Sequence, residues 1–302
     1  MNGGIVMMAP AKGHPWIGSL VDYLTGQRTH VFSRNDLADI VGQLRHDLRI
    51  PSSLSIGGIL SILTEDGPVR EVEIRREGTK STRGTIIRYV LGNASPFRIG
   101  LSLRGGSYLS HSTALFIHAL TDQVPKTIYV NREQSPKPTR KGSLSQFSID
   151  RAFKNAPRKS KYVFVSRDYR YVLLSGKHTG RLEVVDVEGP DGESLDVTNI
   201  ERTLVDIVVR PAYSGGVHEV LQAYTNAKGR VSINTLRAVL KKLDYLYPYH
   251  QSIGFLLERG GYAERDVDKF RSIGMDWDFY LDYGMEGPAF DAAWRLYYPK
   301  GL

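Results

Sequence analysis

The spacing of apolar residues in the N-terminal part of the chain predicts three short helices. Apolar positions recur there every three or four residues, which is the period of an amphipathic helix. The expected helices begin at Pro15, after Ser33 and after Pro51. Asp36, three residues after Ser33, fits a weak capping box, and Ser52 or Ser53 is expected to cap the third helix.

The third predicted helix, within residues 52–67, has an unusual composition. Gly57 and Gly58 lie in its middle, where each glycine costs up to about 1 kcal/mol relative to alanine. Serines are frequent, and the outer side carries almost no charge. Such small residues allow the helix backbone to approach a large ligand such as DNA. They equally permit close packing against the first helix in a module that binds protein.

A strand-like alternation follows the three helices. Residues 69–76 and 85–92 are predicted as two strands, and 77–84 as a polar turn with basic residues. Three helices and then a hairpin with a basic tip is the order of a winged helix-turn-helix. In that fold the third helix enters the major groove and the hairpin contacts the DNA backbone. The residues expected to contact DNA are Ser52, Ser53, Ser55, Gly57, Gly58, Arg45, Arg49, Arg75, Arg76, Lys80 and Arg83.

The chain as a whole is predicted to be a mixed α/β (α+β) protein with two domains. The expected boundaries are a flexible terminus at 1–13, a winged helix-turn-helix at 14–92, a linker at 93–97 and a larger α/β domain at 98–302. Within the larger domain, the pattern predicts loop and strand at 137–149, three consecutive helices in 218–261 and a last strand at 277–284.

Charge is distributed unevenly along the chain. The 302 residues carry a formal net charge of +8, and residues 98–180 alone hold 15 Lys/Arg against 4 Asp/Glu. This excess indicates a polyanionic partner, which is DNA, RNA or the acidic face of a protein. Aromatic residues are interleaved with the cations; bases can stack on such residues, but we expect these to belong to the core and the cations to form the polyanion-binding patch. The second predicted basic patch consists of Lys137, Arg140, Lys141, Arg151, Lys154, Arg158, Lys159 and Lys161.

The chain contains no cysteine, and this limits both the reactions it can catalyse and the cellular compartments it suits. The absence of cysteine excludes disulfides and thiol catalysis, and it suits a reducing cytoplasm. The N-terminal apolar run has no basic residue before it, so it does not fit a signal peptide, and no later apolar run approaches transmembrane length. We therefore expect a cytoplasmic protein without a membrane partner.

Candidate catalytic or metal-binding residues are few. His111 and His118 are seven residues apart on one predicted helix, but no carboxylate accompanies them at ligand spacing. Asp186 and Glu188 lie on one side of a predicted strand, as in magnesium nucleases, yet an acidic loop follows and a solvated turn is the preferred interpretation. No phosphate-binding loop motif is present. The sequence predicts no enzyme, no metal and no cofactor; a metal-dependent nucleic-acid enzyme using Asp186 and Glu188 is one alternative.

Three longer segments of the larger domain carry a family resemblance. They are YLSHSTALFIHALTDQVPKTIYVN (108–131), NIERTLVDIVVRPAYSGGVHEVLQAY (199–224) and LDYLYPYHQSIGFLLERGGY (243–262). In their order and spacing they resemble the AbiEi family of antitoxins from type IV toxin–antitoxin, or abortive infection, systems. With the predicted winged helix, the resemblance covers about residues 15–265.

This resemblance implies a bacterial protein of phage defence or of a mobile element, encoded beside a nucleotidyltransferase toxin. The winged helix would bind inverted repeats in the promoter and repress the operon. The larger domain would counteract the toxin without forming a stable complex with it. The family provides no catalytic residues to transfer to this chain. A second alternative is a direct protein inhibitor that covers the active site of the toxin, which predicts a stable complex.

Overall fold

The computed structural model describes residues 14–79, 84–137 and 142–302. Within these ranges the chain forms eleven α-helices and twelve β-strands. The helices are α1 (Trp16–Thr25), α2 (Arg34–Leu44), α3 (Ile56–Glu65), α4 (Pro96–Ser102), α5 (His111–Ile117), α6 (Gln146–Phe153), α7 (Ile200–Val209), α8 (Val217–Ala227), α9 (Ile233–Leu243), α10 (Tyr249–Arg259) and α11 (Glu264–Arg271). The strands are β1 (Val31–Phe32), β2 (Val69–Arg76), β3 (Ile86–Leu91), β4 (Tyr108–Leu109), β5 (Thr127–Glu133), β6 (Val163–Ser166), β7 (Tyr169–Gly176), β8 (Val184–Glu188), β9 (Ser194–Thr198), β10 (Phe279–Tyr280), β11 (Ala289–Asp291) and β12 (Leu296–Tyr298).

Nine of these strands form one sheet, in the order β1-β3-β2-β6-β7-β5-β4-β9-β8. The pairs β5–β7 and β4–β9 are parallel, and the other neighbours are antiparallel. Strands β10, β12 and β11 form a second, small sheet. Helices and a mixed sheet share the chain, so the predicted α+β fold class is confirmed.

The N-terminal elements follow the order α1–β1–α2–α3–β2–β3. Strand β1 pairs with β3, so that Val31 lies opposite Val90. The predicted capping box of α2 is confirmed: Ser33 Oγ accepts from the Asp36 amide at 3.1 Å, and the Asp36 carboxylate accepts from the Ser33 amide at 2.7 Å. The apolar faces of the three helices close over the hairpin, and Leu20 and Leu63 are fully buried there.

The large sheet crosses the predicted domain boundary. Arg75 and Arg76, at the end of β2, pair with Val165 and Phe164 of β6. A single apolar cluster beneath this sheet therefore draws on both predicted domains. Its members include Val31, Val72, Ile74, Val90, Phe97, Ile99, Ile128, Tyr171, Leu195 and Val197.

The predicted linker, residues 93–97, contains the start of a helix. Ser95 Oγ accepts from the Arg98 amide at 3.1 Å and caps α4, whose first residue is a proline. The Arg98 guanidinium then reaches back to Thr29 Oγ1 at 3.0 Å and across to the Ser194 carbonyl at 3.0 Å. These contacts fix the connection between the N-terminal elements and the rest of the sheet.

The C-terminal helices surround the largest apolar core, and here several sequence predictions fail. The strand predicted within 137–149 is wrong, because Ser145 and Ser148 form a capping box that starts α6; the described residues before that cap are a loop, as predicted. The three predicted helices correspond to α8, α9 and α10. Helix α11 was not expected, and the predicted strand at 277–284 contains only the two residues of β10. Among the helices of the described segments, none has the length and apolar character needed to cross a membrane.

Candidate nucleic-acid interface

Helix α3 begins later than the sequence suggested. Its N-cap is Ser55, whose Oγ accepts from the Gly58 amide at 3.2 Å, so the prediction of Ser52 or Ser53 as the cap is wrong. Gly57 and Gly58 consequently lie in the first turn of the helix and not in its middle. Glycine is less costly there than in a helix interior, because the first amides have no intrahelical partner.

The N-terminal end of α3 is open and lined by small residues. Ser52, Ser53 and Ser55 are all exposed. A Cβ added to Gly57 would meet only Ser55 Oγ at 3.7 Å and Arg34 Nη2 at 3.9 Å. The backbone of the first turn is therefore accessible to a ligand. Unpaired amides and the helix dipole make such an end attractive to phosphate.

Gly58 has a different environment from its neighbour Gly57. A Cβ added to Gly58 would lie 3.0 Å from Leu54 Cδ1. The absence of a side chain at Gly58 thus leaves room for Leu54 in the loop before α3. The nearest atoms to both glycines belong to Leu54, Ser55 and Arg34, so the expected close packing against the first helix is not what these positions show. Of the two, only Gly57 has room for a side chain.

The cations around α3 have unequal freedom. The Arg45 guanidinium donates to the carbonyls of Pro51 at 2.5 Å and Leu54 at 3.1 Å, so it holds the loop between α2 and α3 in place. Arg49 is exposed and adopts a φ of 54° just after α2. Arg34, which the sequence interpretation missed, is exposed at the first position of α2 beside Gly57. Its signal was available, since it directly follows the cap residue Ser33.

The basic residues of the hairpin are tied to the larger sheet. Arg75 forms an exposed ion pair with Glu73 at 2.5 Å. The Arg76 guanidinium lies over the Tyr162 ring, 5.5 Å from its centroid. Both arginines belong to the part of β2 that pairs with β6, so this part of the hairpin is not a free-standing wing. The two other predicted wing contacts, Lys80 and Arg83, lie outside the described residues.

In the structure, the described residues of the second predicted basic patch lie in separate elements and loops. Helix α6 carries Arg151, and Lys154 is its C-cap; both are exposed. Lys137 follows β5 and donates to Gln134 Oε1 at 2.5 Å. Three further cations of the patch precede β6 and line a cavity: Arg158, Lys159 and Lys161. Arg140 and Lys141 lie outside the described residues.

Asp186 and Glu188, the carboxylates considered for metal-dependent catalysis, both lie in β8 and not in the expected turn, and Asp186 is engaged in an ion pair. Arg28 Nη2 lies 2.6 Å from Asp186 and 3.3 Å from Asp196, and Arg28 Nε donates to Ser194 Oγ at 2.9 Å. This cluster joins the loop after α1 to the β8–β9 hairpin. Across residues 14–79, 84–137 and 142–302, no group of three or more His, Cys, Asp or Glu side chains is arranged to hold a metal ion.

The two histidines on the predicted helix do not face each other as ligands. His118 follows the last residue of α5, and its Nε2 donates to the Thr198 carbonyl at 2.6 Å. His111 is buried at the start of α5, with Nδ1 2.9 Å from Ser110 Oγ. Burial lowers the pKa of His111 to about 4, so its ring is neutral at physiological pH.

These elements define a mixed α+β chain whose nine-stranded sheet connects an N-terminal three-helix unit to a helix-rich C-terminal part. The chain is similar to the crystal structure of the RV2827C protein from Mycobacterium tuberculosis, with a TM-score of 0.54 and 16% identity. The similarity covers 96% of this chain and 94% of that one, so it extends over the whole fold. No protein-family model matches the sequence, and no curated protein matches it.

Proposed function

We propose that the protein is a DNA-binding repressor of its own operon and the antitoxin of a type IV toxin–antitoxin system. In this proposal residues 14–92 act as a winged helix-turn-helix. The observation that supports it is the order α1–β1–α2–α3–β2–β3, with β1 paired to β3 at the edge of the sheet. In helix-turn-helix proteins this arrangement presents the later helix of the pair to the major groove.

The chemistry of α3 predicts how DNA is contacted. Its sequence IGGILSILTE contains no cation and no amide side chain, so the usual bidentate contacts to guanine and adenine are absent from it. The exposed serines and the open backbone at Gly57 remain available for phosphates and base edges. Phosphate contacts from Arg34 and Arg49 would flank the helix. We therefore expect recognition to depend largely on the shape and backbone of the promoter.

The antitoxin part of the proposal rests on the AbiEi resemblance. In the structure its segment 199–224 forms α7 and α8, and residues 202–208 of α7 are all buried. The similar residues thus form much of the core of the larger domain. A nucleotidyltransferase toxin is the proposed functional partner, and the toxin is counteracted without a stable complex.

The decisive experiment is a gel shift of the purified protein on its own upstream promoter and on scrambled DNA across a salt series. Specific binding to the promoter is expected. The charge reversals Arg34→Glu and Arg49→Glu should weaken it, whereas Arg265→Glu, an exposed arginine on α11, should leave it unchanged. Equal, salt-sensitive binding to both DNAs would contradict repression and indicate a non-specific basic protein.

Failure to bind any DNA would overturn the proposal in a different way. It would make the N-terminal unit a protein-binding module and favour the direct inhibitor of the toxin. Co-purification of a stable complex with the toxin then distinguishes that alternative. A requirement for a divalent metal in cleaving nucleic acid would instead favour the enzyme alternative.

A further inference from the structure

A half-open cavity lies between the end of β7, the helix α7 and the segment that precedes β6. Its volume is about 720 Å³, within the range of roughly 300–1,000 Å³ that small-molecule sites occupy. Its lining includes cations, buried polar groups and tyrosines. Nothing in the DNA-binding proposal assigns a role to this cavity.

The lining of the cavity is strongly positive. Six cations line it: Arg158, Lys159, Lys161, Lys177, Arg202 and Arg210. Among the described lining residues Asp206 is the single carboxylate, and it accepts from Arg202 Nε at 2.8 Å. Burial opposes the charge of Arg202, but Asp206 outweighs that effect and raises the pKa of the guanidinium above its ordinary value. Arg202 therefore stays charged beside Asp206, and the other five cations form a positive excess that attracts an anion.

Several of these cations are held in place by neutral partners. Lys177 Nζ donates to the carbonyls of Leu243 and Asp244 at the end of α9, at 2.7 and 2.9 Å. Arg210 Nη1 donates to the Tyr283 hydroxyl at 2.7 Å. Each group has further N–H donors beyond those contacts. Their charge is therefore fixed in position but not neutralised.

The rim segment of the cavity is also preorganised. The Ser160 amide donates to the Tyr213 hydroxyl at 3.1 Å, and Ser160 Oγ donates to the Leu173 carbonyl at 2.6 Å. These bonds fix the backbone between Lys159 and Lys161. Cations on a fixed segment lose less conformational entropy when they bind a ligand.

The floor and walls of the cavity add uncharged groups. His111 is neutral and 8% exposed, and Asn131 is 5% exposed. Three tyrosines, Tyr162, Tyr213 and Tyr245, line the walls. Aromatic faces beside phosphate-binding cations are the combination that accepts a flat base joined to a phosphate.

From this geometry we propose that the cavity binds a phosphate-bearing small molecule of mononucleotide size. The cations hold its phosphate, and the tyrosines contact its flat organic part. A duplex DNA backbone does not fit the same description, because the Arg202 and Asp206 side chains are only 5% and 7% exposed. A ligand must enter the cavity to reach them, and its volume exceeds what inorganic phosphate needs.

Calorimetric titration of the full-length protein tests the proposal. The probes are the four nucleoside 5′-monophosphates, the corresponding nucleosides and inorganic phosphate. At least one monophosphate is expected to bind more tightly than both its nucleoside and phosphate. Replacing Arg210 or Lys161 with glutamine should weaken that binding by about tenfold or more, because each removes a charge-assisted contact.

One of two exposed lysine variants tests the cavity, and the other is its control. Lys161 is exposed, so Lys161→Gln removes a cation without disturbing the core. Lys154→Gln is the matched control, since Lys154 is an exposed cation of the same predicted patch that does not line the cavity. It should leave the affinity unchanged.

Three results would overturn the proposal. Equal affinity for phosphate and every monophosphate would reduce the cavity to a simple anion site. No binding of any probe, or binding only of a single-stranded oligonucleotide, would show that a small phosphate ester is not the ligand. Affinity lost equally in Lys154→Gln and Lys161→Gln would place the binding elsewhere on the basic surface.

Discussion

Substituting Gly57 with alanine separates the stability of α3 from its proposed contact with DNA. An added Cβ would meet Ser55 Oγ at 3.7 Å and Arg34 Nη2 at 3.9 Å, which are ordinary van der Waals distances. The helix therefore accepts the methyl group without strain. Because alanine restricts the unfolded chain more than glycine does, we expect Gly57→Ala to stabilise the protein by about 0.4–1 kcal/mol.

The same methyl group should weaken binding to promoter DNA. It would stand on the open first turn of α3, one turn before the exposed Ser61, where the proposal places the DNA. Holding the backbone further from the DNA lengthens the contacts of the neighbouring amides. Because one contact region of the DNA would be displaced, we expect the affinity for promoter DNA to fall roughly tenfold, or by about 1.4 kcal/mol.

Urea unfolding measures the first effect, and a gel shift at fixed salt measures the second. Gly18→Ala is the matched control, because Gly18 lies within α1, is exposed and has no atom within 4 Å of an added Cβ. It should stabilise the protein similarly and leave DNA binding intact. If Gly57→Ala binds the promoter as tightly as the natural protein, the assignment of α3 as the DNA-contacting helix is wrong.

Three further predictions concern the core and the junction. Gly254→Ala should destabilise the protein by about 1–3 kcal/mol or more, since the added Cβ would lie 2.1 Å from the Trp294 ring; a neutral effect in urea unfolding would contradict this packing. His111 has a pKa lowered from 6.5 to about 4, so the unfolded chain binds the extra proton and stability is lost as pH falls from about 6.5 towards 4. Asparagine tolerates the φ of 55° at this position. Between pH 7 and pH 5, the free energy of unfolding of His111→Asn should therefore fall by about 2 kcal/mol less than that of the unsubstituted protein. The same pH dependence in both proteins would refute the role of His111. Arg28→Ala should cost less than about 1 kcal/mol, because Arg28 and Asp186 are each about half exposed; a much larger loss would show that their cluster controls the junction.

Local sequence signals predicted some helix starts and missed others for identifiable reasons. The Ser33–Asp36 capping box was predictable because both partners lie within one turn. The start of α3 was not, because three nearby serines fit an N-cap equally well by sequence. Arg45 decides between them: it binds the carbonyls of Pro51 and Leu54 and keeps that segment out of the helix. That choice depends on a side chain of the preceding helix.

Two helices that were not predicted, α6 and α11, are each only eight residues long. In α11 only Val267 and Phe270 are apolar, among six polar residues, so this short helix offers too few apolar positions to establish a helical period from sequence. In α6 a serine occupies the capping-box position where glutamate or glutamine is the usual signal. Both helices are stabilised mainly by packing onto the C-terminal core, which local periodicity does not reveal.

The cavity and the junction depended on contacts that local patterns do not encode. The pairing of Arg76 with Phe164 joins strands about ninety residues apart and brings Tyr162 beside the hairpin. Tyr162 also lines the cavity, so one side chain contacts the proposed DNA-binding unit and the proposed ligand site. If both proposals hold, a ligand that shifts Tyr162 acts on Arg76 directly. Coupling between two binding sites is reciprocal. If the nucleotide changes the affinity for promoter DNA by some factor, the DNA must change the affinity for the nucleotide by the same factor. Measuring that factor from both directions tests whether the shared sheet transmits binding energy or only holds two independent sites.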